Sequence, residues 1–153
     1  MTLNDLEGVY IHSPQPGEQQ KIKDTVESTL SEFNPLFRRI ARPKLEKGAR
    51  IDSRIEVDIQ HENVVLTHIN DKRVVLNLPL NKEVKNKTEN LRHHISWVDN
   101  KLERRDSSFF GGREVTYELI NNGDILNIKV KMFGAQLPEP IVYTLKYLRH
   151  LVK

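Results

Sequence analysis

GREVTYELINNGDILNIKVKMFGAQLPEPIVYTLKYLR, residues 112–149, alternates apolar and polar side chains through three consecutive segments. Val115, Tyr117 and Leu119 alternate with Glu114, Thr116 and Glu118, the period-two pattern of a strand with one wet and one covered face. Asn121-Asn122-Gly123-Asp124 supplies residue types that tolerate the positive φ of a tight hairpin. Beyond it Leu126, Ile128, Val130 and Met132 alternate with Asn127, Lys129 and Lys131. After the Pro138-Glu139-Pro140 turn, Ile141, Tyr143, Leu145 and Tyr147 alternate with Val142, Thr144 and Lys146. The short connections make neighbours antiparallel, so the segment is a meander.

Working towards the N-terminus, Ile51, Ile55, Val57 and Ile59 alternate with charged and amide residues, Val64 to Ile69 returns, and Val74, Leu76 and Leu78 mark a further strand. The polar segment Asn81 to Asn90 reads as a loop. Leu91 to Val98 and Leu102 to Ser107 form a weaker hairpin around Asp99-Asn100, which brings the expectation to eight strands after residue 50. Between Pro14 and Lys47 the period changes: Ile22, Val26, Leu30 and Phe33 recur at helical spacing. Asn34-Pro35 then suits the N-cap and first residue of a second helix carrying Leu36, Phe37, Ile40 and Ala41, with Pro43 limiting its extent. Gly8-Val9-Tyr10-Ile11 is a short first strand. Residues 1–153 are thus expected to form one domain, with a helical pair at about 18–45 and strands at about 50–149.

Composition narrows the class of job. The chain is 29% charged with a formal net charge of +3, has no apolar run of membrane-spanning length and contains no cysteine. That composition removes disulfides, thiolate catalysis and cysteine-based metal sites. Residues 1–8 lack the regions of a signal peptide, which fits a soluble protein, either cytoplasmic or a mature exported chain. No Gly-x-Ser-x-Gly turn, phosphate loop or His-Glu-x-x-His pairing occurs, so an enzyme is not expected. His93 and His94 are adjacent on a strand and point to opposite faces, so they cannot chelate one ion. His68 and His93 remain possible single axial ligands for haem or simply polar interior residues, and no cofactor or metal is expected.

A strand, two helices and a long meander must either curl shut or leave two exposed edges, and closure is the usual solution. This order resembles the calycin barrels, particularly the fatty-acid-binding proteins, in which a helical pair follows the first strand. Gly8-Val9-Tyr10 is similar to the Gly-x-Trp opening of these families, and Arg149 on the last strand corresponds to the arginine that packs on that tryptophan in lipocalins. The resemblance implies a mainly β, antiparallel lipocalin-like barrel of a bacterial type, with about 8–10 strands and an N-terminal helix-turn-helix insertion. It also implies noncovalent binding of a small hydrophobic, lipid-like molecule, with the helices as lid or plug and with Gly8, Tyr10 and Arg149 in structural closure. Fatty-acid-binding proteins end on an Arg-x-Tyr pair that holds the ligand carboxylate. Here the place reads Leu145-Lys146-Tyr147, so the tyrosine is present and the arginine is not.

On the inner faces the alternation places His93, Ile95 and Trp97 together, Val115 with Tyr117, and Tyr143 with Tyr147. Trp97, His93, Tyr117, Tyr143 and Tyr147 are therefore candidate ligand contacts, apolar bodies with hydrogen-bonding tips. Arg113 and Arg104 fall in register with apolar neighbours, which would set positive charge inside for an anionic group unless they extend to solvent. The alternative is a structural or protein-interaction domain whose interior these side chains fill. At the surface, Arg38, Arg39, Arg42, Lys44, Lys47 and Arg50 form a basic run, either a solvated helix face or a contact for an anionic partner. Phe109-Phe110, flanked by Arg104, Arg105 and Arg113, reads as a portal plug or an aromatic contact for single-stranded nucleic acid. A small hydrophobic molecule is the expected partner, nucleic acid is not, and the oligomeric state is left open.

Overall fold

Period-two alternation builds one continuous antiparallel sheet in the computed structural model, which describes residues 1–88, 90–109 and 111–150. Its strands are β1 (Gly8–His12), β2 (Arg54–Gln60), β3 (Asn63–Ile69), β4 (Arg73–Pro79) and β5 (Glu83–Asn86), followed by β6 (Leu91–Val98), β7 (Lys101–Ser108), β8 (Gly111–Ile120), β9 (Ile125–Phe133) and β10 (Ile141–His150). Helices α1 (Glu18–Ser31) and α2 (Pro35–Gly48) lie between β1 and β2. The strand order is β4-β3-β2-β1-β10-β9-β8-β7-β6-β5, so β1 pairs with β10 and joins the two ends of the chain.

The sheet curls into a nearly closed barrel. Among the described residues no ladder joins the two end strands, β4 and β5; the chain just after β4 instead meets β6, through a parallel bridge between Leu80 and Ile95 in which the Asn81 N–H donates to the Ile95 carbonyl at 2.8 Å. Elsewhere the seam between them is open, and Val74 and Val75 of β4 are exposed beside it. Among the described residues no helix is long and apolar enough to cross a membrane.

Two local expectations are corrected. The segment Asn81 to Asn90 is not wholly a loop: Glu83–Asn86 forms β5, pairing Val84 with His93 and Lys85 with Arg92. With only one apolar residue it shows no alternation, and it is held by the ladder of β6, as a short charged edge strand. Helix α2 also runs through Pro43 to Gly48. The missing proline N–H frees the carbonyl of Arg39, and both residues are exposed, so water can satisfy it. Other local signals act as read: the Asn34 side chain accepts from the Phe37 N–H at 2.8 Å, and Asn121, Asn122 and Gly123 all adopt positive φ between β8 and β9.

One apolar core lines the inner faces of the strands and reaches into the helices, where Ile22, Val26, Leu30 and Leu45 are buried. Each fully buried aliphatic side chain contributes about 1.5–3 kcal/mol relative to exposure. At the end formed by β1 and β10, the Arg149 guanidinium lies 5.3 Å from the Tyr10 ring centre and donates to the Tyr10 hydroxyl at 2.6 Å. That hydroxyl in turn donates to the Leu6 carbonyl at 2.6 Å. The Leu3–Leu6 turn is thereby tied to the first and last strands.

Gly112 allows β7 and β8 to approach: a Cβ there would run into the Asp106 carbonyl oxygen and come 2.8 Å from Ser107 Cα. Gly112→Ala is expected to destabilise the protein by about 1–3 kcal/mol, read from the midpoint of urea unfolding.

Candidate functional site

Strand β7 turns Leu102, Arg104 and Asp106 inward and Glu103 and Arg105 outward. Arg104 is only 2% exposed, and its guanidinium is met from two other strands as well as its own. Its Nη2 lies 3.1 Å from Asp106 Oδ2, its Nη1 donates to the Tyr117 hydroxyl on β8 at 2.6 Å, and His68 Nε2 on β3 lies 3.3 Å from the same Nη1. Asp106 Oδ1 also takes a hydrogen bond from His93 Nδ1 of β6 at 2.7 Å. His68 Nδ1 lies 2.8 Å from Asp52 Oδ2, and Asn70 donates to Asp52 Oδ1 at 2.6 Å.

Hydrogen-bonding capacity sets the direction of this chain. A carboxylate only accepts, so the Nδ1 atoms of His68 and His93 carry protons. Neutral His68 then presents a lone pair at Nε2, which accepts from the Tyr117 hydroxyl at 3.1 Å, while the Tyr117 oxygen accepts from Arg104. Burial pushes His68 below its ordinary value, and Arg104 and Arg113 add to this against the opposing pull of Asp52. Burial would raise Asp106, yet the Arg104 charge and the His93 hydrogen bond outweigh it and hold the carboxyl at about 2. Asp52 is likewise lowered against burial, chiefly by its hydrogen bond with His68. Burial raises Tyr117, with Arg104 opposing.

The same interior holds the end of the helical pair. Arg113 Nη1 donates to the Gly48 carbonyl at 2.8 Å and the Tyr143 hydroxyl to that same oxygen at 3.1 Å, so a cation faces the C-terminus of α2. The Tyr147 hydroxyl donates to the Asp52 carbonyl at 2.7 Å. A Cβ at Gly48 would come 2.7 Å from Met132 Sδ, which explains glycine at this contact. Burial pushes Tyr143 up to about 12 and raises Tyr147 further. Across the β1–β10 ladder the His12 ring meets that of Tyr147 at 5.2 Å, tilted by 50°, and pairs with Glu18 at 2.8 Å. These two residues border a groove of about 550 Å³ that also touches Ile51 and Ser53.

Of the residues singled out from sequence, His93, Tyr117, Tyr143, Tyr147 and Arg113 therefore have side chains in the interior or against the segment that follows α2. Trp97 packs on the core as a partly buried side chain. Gly8, Tyr10 and Arg149 lie together at the barrel end, where a Cβ on Gly8 would come 3.5 Å from Arg149 Nε. His94 is exposed while His93 is buried. Sequence reasoning did not assemble Arg104, Asp106, Asp52 and His68 into a cluster. The available signal was parity: Arg104 and Asp106 share the face of Leu102, whose strand partner Tyr117 had been assigned inward.

The surface candidates resolve differently. Arg38 donates to the Leu30 and Phe33 carbonyls at 2.9 and 3.0 Å, Arg42 pairs with Glu27, and Arg50 pairs with Asp71. Half of the basic run thus fastens the helices and the following segment. Phe109 is 92% exposed, and Phe110 lies outside the described residues. Arg105 stacks on Phe133 at 4.4 Å and pairs with Glu114 at 2.6 Å, while Arg104 and Arg113 turn inward.

No family model and no curated protein matches the chain. Solved structures do. A fatty acid transporter, REP1-NXSQ, superposes with a TM-score of 0.62 at 13% identity, covering 98% of this chain and 99% of its own. A secretory abundant heat soluble protein from Ramazzottius varieornatus gives 0.64 at 12%, covering 95% of this chain and 96% of its own. Zebrafish ileal bile acid-binding protein complexed with cholic acid gives 0.57 at 17%, covering 95% and 99%. The fold is that of the fatty-acid-binding, lipocalin-like calycin barrels: mainly β, with ten antiparallel strands and two helices near the N-terminus.

Removing Arg104 would strand Asp106 as a buried anion, so Arg104→Met should cost about 3–5 kcal/mol, and Arg104→Met/Asp106→Leu should cost less than Arg104→Met alone in urea unfolding. A His68 value lowered in the folded state means that the unfolded chain binds more protons below about pH 6.5, so stability is lost as pH falls through that region. Thermal unfolding should show Tm falling from pH 7.5 to 5.5, and falling less in His68→Gln.

Proposed function

We propose that this barrel binds a small hydrophobic molecule noncovalently, with the ligand's polar end directed at β6 and β7. One observation carries the reading: His93 Nε2 and Arg104 Nε are both buried without a hydrogen-bond partner among the described residues. A buried polar atom left unpaired costs about 1–3 kcal/mol, and native interiors almost always supply such atoms with a partner. A ligand's polar group placed between these strands would do so.

Around these atoms the inner faces are apolar. Ile95, Leu102, Val115 and Trp97 would supply contact area for the ligand body, and Tyr117 would orient it through the hydroxyl it shares with Arg104 and His68. Arg113, Tyr143 and Tyr147 hold the Gly48 and Asp52 carbonyls, so they would act at the hinge of a helical lid, with entry beside the groove of His12, Glu18 and Ile51. The solved relatives named for a fatty acid transporter, for cholic acid binding and for human cRBP IV support carriage rather than catalysis, and a lipid-like ligand is our choice on that basis.

A second reading has its own observation. Tyr10, Tyr117, Tyr147, Ile95, Leu102 and Leu126 are all at most 1% exposed, and Arg104 and Arg113 are balanced by Asp106 and Asp52. A barrel filled and charge-neutral on its own would be a structural or protein-interaction domain.

Native mass spectrometry of the purified protein, followed by organic extraction, separates the two. A stoichiometric small molecule, or uptake of one from a lipid mixture, is expected for a carrier. A clean mass with no uptake would overturn the carrier reading in favour of the filled barrel.

A further inference from the structure

Four buried side-chain nitrogens lack a partner among the described residues, on Arg54, His93, Arg104 and Arg149, and the pair on the neighbouring strands β6 and β7, with the charge beside it, restricts what the polar end of a ligand can be, given the binding role proposed above. Asp106 Oδ1 fixes the His93 proton on Nδ1, so in the neutral imidazole the buried Nε2 is a bare acceptor that needs a donor. Arg104 Nε is an N–H that needs an acceptor. Both atoms belong to neighbouring antiparallel strands, on side chains linked through the Asp106 carboxylate. The interior thus offers one acceptor and one donor, each at least nine-tenths buried, as His93 is 5% and Arg104 2% exposed.

A carboxylate does not fit this pair. It only accepts, so it leaves His93 Nε2 unpaired and sets two acceptors against each other. It also adds a negative charge where Arg104 already faces Asp106 and where Arg113 and Asp52 lie nearby. Asp106 does not give way by taking up a proton, since its carboxyl is held at about 2. The Arg104 Nη atoms are already engaged with Asp106 and Tyr117, and Arg113 Nη1 is on Gly48. In this low-dielectric setting a third anion would be stabilised by no cation that is not already paired.

We infer that the polar end of the ligand is a neutral hydroxyl, which donates to His93 Nε2 and accepts from Arg104 Nε, and that the barrel selects apolar alcohols over the corresponding carboxylates. A hydroxyl carries both the donor and the acceptor that such a pair lacks, and it adds no charge. Selection by hydrogen-bond complementarity is sharp because the wrong group leaves buried atoms of the protein unpaired.

The test uses the protein of residues 1–153 at pH 8 and three probes of one chain length: 1-decanol, sodium decanoate and decyl methyl ether, measured by displacement of a fluorescent apolar dye. Decanol should bind about tenfold or more tighter than the ether, which can accept but not donate, and also about tenfold or more tighter than decanoate. In His93→Leu, decanol should fall to the affinity of the ether while the ether is unchanged. Should that variant not fold, the imidazole ¹⁵N spectrum of the unaltered protein decides, since decanol and not the ether should shift the His93 Nε2 resonance. Decanoate binding as tightly as decanol, or an ether equal to the alcohol, overturns the inference while leaving ligand binding intact. If no probe displaces the dye and native mass spectrometry finds no adduct of any of them, the binding role itself fails.

Discussion

A guanidinium that is always charged sits in the middle of this barrel, and its neutralisation constrains everything around it. Arg104 cannot shed its proton, so Asp106 must remain ionised beside it. Asp106 then fixes the tautomer of His93, while Arg104 orients the hydroxyl of Tyr117, which turns its proton to His68, which turns its own to Asp52. Side chains from β3, β6, β7 and β8 and the segment before β2 are thereby set by one buried charge.

The chain of contacts ends where the helical pair ends. Asp52 receives His68 through its side chain and Tyr147 through its carbonyl, and Gly48 receives Arg113 and Tyr143. The C-terminal hinge of the helices is therefore held by the same side chains that pack the interior, whereas Arg38, Arg42 and Arg50 fasten its outer side. A change in hydrogen bonding at Arg104 has a continuous physical route to that hinge, through Tyr117, His68 and Asp52.

Strand positions were legible wherever hydropathy alternated, as from Val115 to Tyr147, because the side-chain period of a sheet is written directly in such residues. β5 was not, since Glu83-Val84-Lys85-Asn86 takes its conformation from pairing with β6 rather than from its own pattern. The aromatic members of the interior were found by the same alternation. Register with apolar neighbours already offers Arg104 as an interior charge, whereas Asp106 escapes because hydropathy sorts charged residues to the wet face, and only the parity carried across the ladder from Tyr117 to Leu102 puts it inside. The hinge contacts of Gly48 join residues 65 and 95 positions apart and left no trace in local sequence.

The open seam between β4 and β5 makes the barrel a split ring. A fully laddered cylinder can widen only by breaking a line of hydrogen bonds, whereas a ring already parted at one place can alter its girth by flexing about the intact wall opposite. Here that wall includes the β1–β10 pairing braced by Arg149 and Tyr10, and among the described residues the parted side is bridged where Leu80, just after β4, meets Ile95 of β6. The cylinder can thus widen at the cost of little ordered backbone.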